Sequence, residues 1–423
     1  MSRPTVWHPF TQHAVAPEPI AVTDAEGAYL TAADGRRIFD GISSWWVVTH
    51  GHCHPAITAA IKAQADRLDQ VVFAGFTHTP AEETAAKLLA LVAGSLRDTS
   101  LAHVFYSDSG STAVEVGLKM ALGYWRNIGE ARTRIVALEH AYHGDTIGTM
   151  SAGARGVFNA PYEPLLFDAA RLPFPEPGRE QASLDALDVL LGETPTAALI
   201  VEPLILGAGG MRIYPPAVLA GLHRIARRHG ALFIADEVMT GFGRTGTLLA
   251  CEQAGIVPDI LCLAKGLTGG ALPLAATLAT RAIFDSHYST DRTRTFFHSS
   301  SYTANPIACA AAAANLEIWL TEPVLDRIAT LSRLQTERLA PLRTDPRFTN
   351  VRQIGTITAL DLAVRDAGYL AGIGPTLYEH VITAGILLRP LGNTVYVMPP
   401  YCTTARDLDR VYEVIAGAAD AIA

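Results

Sequence analysis

Charge is scarce in this chain. Only 17% of its 423 residues are Asp, Glu, Lys or Arg, and 33 basic against 41 acidic residues leave a net charge of −8 with no basic run. That balance argues against a nucleic-acid binder, because a phosphate backbone is held by clustered Lys and Arg. Cysteine is also rare: Cys53, Cys251, Cys262, Cys309 and Cys402 are scattered, odd in number and form no CxxC pair. Neither a disulfide framework nor a zinc ribbon is supported, and a reducing cytoplasm fits best. No uninterrupted apolar stretch reaches the roughly 18 residues of a membrane helix. The N-terminus MSRPTVWHPF lacks the basic start and apolar core of a signal peptide. A soluble, cytoplasmic protein that binds neither nucleic acid nor membrane is expected.

Apolar residues are plentiful, at 49% of the chain. A chain of this length can bury a large core, as one large domain with smaller parts. So few charges on so long a chain imply that part of its surface is covered by a subunit contact. Residues 1–50 read as an arm and part of a small domain, because EPIAVTDAEGAYLTAADGRRIFD alternates in hydrophobicity and turns at Glu26-Gly27 and Asp34-Gly35, as a small antiparallel hairpin would. Residues 51–315 carry the apolar runs VFYS, RIVALE, AALIVE, ALFIAD and ILCLA between amphipathic segments. Such alternation predicts an α/β fold with a mainly parallel sheet covered on both faces and ligands at its strand ends. FPEPGRE is a surface loop within that domain. Residues 316–423, with ITALDLAV, ILLRPL and TVYVMPP, read as the other part of a smaller α+β domain.

Two of those runs end in chemistry. Asp236 closes ALFIAD and Lys265 closes ILCLAK, with GLTGG directly after it. A buried amine can carry the aldehyde of pyridoxal phosphate (PLP), and a buried acid can keep its pyridine nitrogen protonated. Taken singly, each is more often a solvated turn residue at a strand end. YSDSGSTAVEVGLKMALGYW sets Gly110 and Ser111 at the start of a long amphipathic helix, a natural phosphate site, or else a plain capped helix. HAYHGDT puts Tyr142 in a polar turn, where its ring could stack on a planar cofactor or simply pack, with His143 and Asp145 as positioning residues.

Other patterns compete. THGHCHP resembles a metal cluster but has no second ligand pair at convincing spacing, so no metal is expected. GFGRTG, at 241–246, matches the dinucleotide pattern of a nicotinamide oxidoreductase; yet Asp236 to Thr240 separate it from the strand end, and no helix opens at the third glycine. Trp45 and Trp46, in SSWW, form either an apolar pocket wall or a core-and-interface pair. Arg389, in LLRPLGNTVYVMPP, is either a substrate-carboxylate anchor or half of an internal salt bridge.

ADEVMTGFGRTG, PDILCLAKGLTGG and ANPIACAAA, in this order and spacing, resemble the class III aminotransferases of the fold-type I PLP enzymes, over essentially the whole chain. WHPF, DGISSWWVVTHGHCHP, SDSGS, AYHGDT, EPLILGAGGMR and RPLGNTVYVMPPY resemble the members that aminate 8-amino-7-oxononanoate to 7,8-diaminononanoate in biotin biosynthesis. The resemblance implies a seven-stranded, mainly parallel sheet and a homodimer with shared active sites. It also implies S-adenosylmethionine as amino donor, with lysine conceivable. By position, Lys265 would bond the cofactor and move protons, Asp236 would pair with the ring nitrogen, and Tyr142 would lie on the ring. Gly110 and Ser111, with Ser300 and Ser301 from a neighbouring subunit, would hold the phosphate. Phe10, Trp45, Trp46, Ser299, Arg389 and Tyr396 would line the substrate site, and Arg244 matches a position near it. Three departures stand out: WHPF has Phe10 where these members carry Tyr, HSSSY replaces HGPTF, and Leu206 replaces a Gln. The other readings are a class III aminotransferase for another ω-amine or diamine, a PLP aminomutase, and a non-catalytic binding protein on this fold.

Overall fold

The computed structural model describes residues 5–364 and 372–422. Its centre is a seven-stranded sheet whose strands are, in chain order, β1 (Leu101–Ser107), β2 (Arg134–Leu138), β3 (Ala170–Leu172), β4 (Thr196–Val201), β5 (Leu232–Asp236), β6 (Ile260–Leu263) and β7 (Ala275–Thr280). In space they run β1-β7-β6-β5-β4-β2-β3, with β7 antiparallel to both neighbours. This is the expected α/β architecture. The central strands are buried along their whole length, and the alternation of their side chains divides the core in two. Ile135, Ala198, Ile200, Ile234, Ile260 and Cys262 face one layer, which holds the helix α1 (Gly110–Asn127). Val136, Leu199, Val201, Phe233, Leu261 and Leu263 face the other, which holds the helices Pro216–Arg228 and α2 (Pro306–Thr321). Strand β7 was not legible as a strand, because AATLAT is small and weakly patterned; burial against β1 and β6 rather than propensity makes it one.

The two chain ends meet in a second sheet. The segment expected as a hairpin forms three antiparallel strands, Val22–Glu26, Tyr29–Ala32 and Arg37–Asp40, and Ile386–Leu387 adds to the last of them in parallel, with Leu387 opposite Asp40. A third sheet joins Phe348–Ile354, Ile357–Leu362 and Thr394–Val397. The expected boundary after residue 315 falls inside α2, which runs unbroken to Thr321.

The Asp40–Leu387 pairing has a direct consequence. Five residues after Asp40 comes Trp45, and two after Leu387 comes Arg389, so both leave the sheet side by side. Ser43, Ser44, Trp45 and Trp46 all have positive φ, 53°, 44°, 69° and 75°. Left-handed backbone costs an L-residue about 1–2 kcal/mol, so four in succession require fastening. Buried Asp40 accepts hydrogen bonds from Ser44 Oγ (2.9 Å) and the Ile42 N–H and lies 2.8 Å from His52 Nε2, while Ser43 Oγ donates to the Met398 carbonyl. Arg244, 1% exposed, donates to the carbonyls of Trp46, Val48 and Pro399. That is the role of GFGRTG here: its Arg clamps the tryptophan turn. No helix opens at its third glycine; the next, Ala250–Gln253, begins four residues later.

Candidate active site

The C-terminal ends of the parallel strands carry the reactive side chains to one place. Parallel register sets Ala235 beside Val201, so Asp236 and Glu202, the residues that follow, end neighbouring strands at the same level. Asp236 also pairs with Cys262 across β6, and Lys265 follows three residues on. Together with the turns after β1 and β2, they line a cavity of about 310 Å³. Its walls include Phe10, Trp45, Trp46, Gly110, Ser111, Tyr142, Asp236, Lys265, Arg389 and Tyr396. All of these were sequence candidates. Ser299, Ser300 and Ser301 are not in the cavity of their own chain; they lie in a partly exposed turn, where the Ser301 carbonyl accepts from Gln70 Nε2. Leu206 is wholly buried in a short hairpin and does not line the cavity.

Asp236 is 5% exposed and fixed at both oxygens: Oδ2 lies 2.7 Å from His143 Nδ1, and Oδ1 accepts from the Val238 N–H. The outer nitrogen of His143, Nε2, is buried without a partner among the described residues. Glu202 accepts from the Tyr142 and Gly207 N–H groups, both at 2.9 Å. Burial pushes its carboxyl up to about 7, with Asp236 adding repulsion and His143 opposing. Burial also raises the Tyr142 phenol, helped by Asp145, so the ring stays neutral.

Lys265 keeps some accessible surface because it lines the cavity, but the rest of its side chain is enclosed. Its Nζ stands 4.4 Å from the centre of the Trp46 ring. Burial lowers the amine to about 8, against the attraction of Asp236 and Glu202. In the cofactor-free protein, the rate of Lys265 modification by an amine-selective reagent is therefore expected to rise with pH to half its maximum near pH 8. Peptide mapping would check this, since exposed lysines stay largely protonated up to about pH 10; a Lys265 that follows them contradicts it.

At the other wall, Trp46 Nε1 donates to the Tyr396 hydroxyl at 3.0 Å. The Arg389 guanidinium lies 4.7 Å from the Trp45 ring centre, and among the described residues it makes no ion pair. Phe10 completes an aromatic rim with Trp45 and Phe158, at ring-centre distances of 5.6 and 6.0 Å. The helix start is close-packed: a Cβ on Gly110 would lie 2.5 Å from Val238 Cγ1, and one on Gly144, at φ +131°, would lie 2.2 Å from Ser111 Oγ. Ser109 caps α1 through a capping box with Thr112. Of the first N–H groups of α1, that of Thr112 donates to Ser109 Oγ, and those of Gly110 and Ser111 have no partner inside the helix, the kind of end that suits an anion.

Several cavity residues escaped the sequence reading, among them Glu202, Phe158 and Met239. Glu202 was legible in principle, since AALIVE ends in an acid as ALFIAD does. Phe158 and Met239 lie in segments with no periodicity to mark them.

A chain that sets a fixed carboxylate, an enclosed amine and a helix start around one cavity, at the strand ends of this sheet, belongs to the class-III aminotransferase family, whose model matches residues 10–419. Over its whole length the chain is 48% identical to the whole of the adenosylmethionine-8-amino-7-oxononanoate aminotransferase of Synechococcus elongatus. It is 42% identical to that of Nitratidesulfovibrio vulgaris, over 99% of this chain and 80% of that one. The crystal structure of the Methanocaldococcus jannaschii enzyme of the same name superposes with a TM-score of 0.91 at 33% identity, covering 98% of this chain and 97% of that one. An amine transaminase from an uncultivated Pseudomonas species, in its PLP-bound form, does so at 0.90 and 34%, covering 99% and 98%.

Proposed function

We propose that this aminotransferase moves an amine from S-adenosylmethionine to 8-amino-7-oxononanoate, giving 7,8-diaminononanoate for biotin synthesis, with PLP as cofactor. The carrying observation is the pairing, across one aromatic-walled cavity, of the enclosed Lys265 amine with the Arg389 guanidinium, which is half-buried and has no acidic partner among the described residues. A long methylene chain that ends in a carboxylate fits that span, with the carboxylate on Arg389 and the chain along Trp45 and Trp46. The same faces would tolerate the sulfonium of the donor. The S. elongatus and N. vulgaris relatives support this choice of substrates.

PLP suits the residues present. Its phosphate matches the helix start at Gly110 and Ser111, where the close contacts of Gly110 and Gly144 leave no room for side chains. Its ring nitrogen suits Asp236, whose other bonds hold it still. Bound there, the cofactor supplies an aldehyde that takes up an amine and a ring that withdraws electrons from the amine-bearing carbon. The chain would supply the rest. Asp236, steadied by His143, would keep the proton on the ring nitrogen. Tyr142 would cover the ring, and Lys265 Nζ would take a proton from the amine-bearing carbon and return it. Phe10, Trp45, Trp46 and Tyr396 would exclude water from the chain of the substrate. Ser299, Ser300 and Ser301 would serve the cavity of a second copy, with Ser300 and Ser301 at the phosphate, so a homodimer belongs to the reading, as does a cytoplasmic location. Among the described residues no helix is long and apolar enough to cross a membrane. The chain would divide into an arm and part of a small domain at 1–50, a large cofactor-binding domain at 51–315 and the rest of the small domain at 316–423, with α2 running across the second boundary.

The direct test incubates the purified protein with 8-amino-7-oxononanoate and either S-adenosylmethionine, lysine or a simple ω-amine, and measures 7,8-diaminononanoate by mass spectrometry. Product with S-adenosylmethionine is expected; turnover confined to simple ω-amines would point to another amine substrate. Arg389→Ala should raise the KM for the keto acid about 10- to 100-fold, as the loss of a charge-assisted pair would, with cofactor affinity unchanged. Equal loss of cofactor would make Arg389 structural.

A further inference from the structure

The Lys265 turn is strained, and besides its own hydrogen bonds, Gly269 N–H to the Gly266 carbonyl and Leu267 N–H to the Ala264 carbonyl, it is restrained by an unexpected residue. Lys265 has φ +42°, an uncommon conformation for a residue with a side chain, which persists only where the surroundings over-determine it. The turn it opens, Lys265–Thr268, ends at Gly269 and Gly270, with φ +66° and +90°. It is wedged from two sides: a Cβ on Gly266 would lie 2.7 Å from Phe242 Cβ, and one on Gly269 would lie 2.6 Å from Ile57 Cδ1. The third side is α2, whose face toward the turn is built from alanine, in ACAAAAANLEIWL. Amid those alanines Asn315 is wholly buried. Its Nδ2 donates to the carbonyls of both Gly266 and Leu267, each at 3.0 Å. Both amide hydrogens are thus used on the two residues directly after Lys265, and these acceptors define which end of the amide is nitrogen.

Asparagine is a poor interior helix residue, and a buried amide costs free energy unless its bonds are made. Among the described residues its oxygen, Oδ1, has no hydrogen-bond partner, and neither has either nitrogen of the buried His50 ring, which packs against Trp319 and Tyr401; the two donated bonds are what the amide gains here. Burial first, then the neighbouring His54, holds that ring down to about 4, so it stays neutral beside the amide. Nothing in the turn itself supplies an equivalent restraint on the Leu267 carbonyl.

We propose that Asn315 is a positioning residue for Lys265: its amide locks the two carbonyls that follow the lysine, holding the left-handed turn that aims Nζ across Trp46 into the cavity. This rests on the PLP reading above. Asn315→Leu keeps the branched shape at greater bulk and removes both donors, and Asn315→Ala removes them without risk of overpacking. In the holoenzyme of either variant, kcat is expected to fall about 10-fold or more with the KM for both substrates nearly unchanged, the signature of a misaimed proton-transfer group. The pH midpoint of the visible absorbance that depends on Lys265 should move by about half a unit or more. If Asn315→Leu fails to fold, Asn315→Ala is read by the same two measures. A normal wild-type band, unmoved in the variants while only thermal stability falls, overturns this inference alone. A wild-type protein with no Lys265-dependent band overturns the functional reading and this inference with it.

Discussion

Lys265→Ala is expected to abolish the visible band that depends on the Lys265 bond to PLP and to lower turnover by about 10³-fold or more. Two losses combine in this one change. The enclosed amine is the group in the cavity able to bond an aldehyde at neutral pH, because burial brings it down to about 8 and leaves an appreciable neutral fraction. It is also placed, 4.4 Å over the Trp46 ring, to exchange protons with a substrate held along that wall. Added methylamine should restore part of the proton transfer but none of the covalent attachment, so a modest rescue of rate without return of the original band is the expected pattern. Turnover kept near the wild-type level would reject the assignment of Lys265.

Asp236→Asn should cost about 10²–10³-fold in kcat, the scale seen when one preorganised charge is withdrawn from a dry site. The change keeps the shape and most of the hydrogen bonding. Asn Oδ1 can still accept from the Val238 N–H, and its amide can still meet His143. What disappears is the negative charge that would keep a pyridine nitrogen protonated. Affinity for PLP should therefore drop far less than kcat, since the helix start at Gly110 and Ser111 is untouched. A matched loss of both would indicate that Asp236 only anchors the cofactor. His143, whose one hydrogen-bonded nitrogen serves Asp236, should show a smaller effect of the same kind.

These expectations draw on different depths of information. The strand runs, the acid and amine at their ends, and the glycine-serine helix start are local patterns. Burial on both faces demands continuous apolar runs, and a strand must end where its polar residue meets the ligand edge, so ALFIAD and ILCLAK could be read directly. Local signals gave less for AATLAT, whose small residues become β7 only between β1 and β6, and for the left-handed SSWW turn, which no propensity favours. That turn exists because Asp40 and Arg244, far apart in the chain, fasten it.

The same distinction separates residues within the cavity. Asp236 and Lys265 could be paired from sequence because each ends an apolar run, but Glu202 joins them through the parallel register of β4 and β5. Arg389 was an arginine between apolar strands with two readings open. Its neighbour became known only when Leu387 paired with Asp40 and set the guanidinium on Trp45. The sequence by itself determined the α/β class, through its short apolar runs, and the cofactor chemistry and many of the cavity residues, through motifs whose order and spacing resemble those of the class III aminotransferases. The tertiary structure alone decided how the tryptophan turn is clamped, where Arg389 meets its wall, and that Asn315 grips the lysine turn. Those contacts join segments far apart in the chain, and no local pattern encodes which distant segments will pack together.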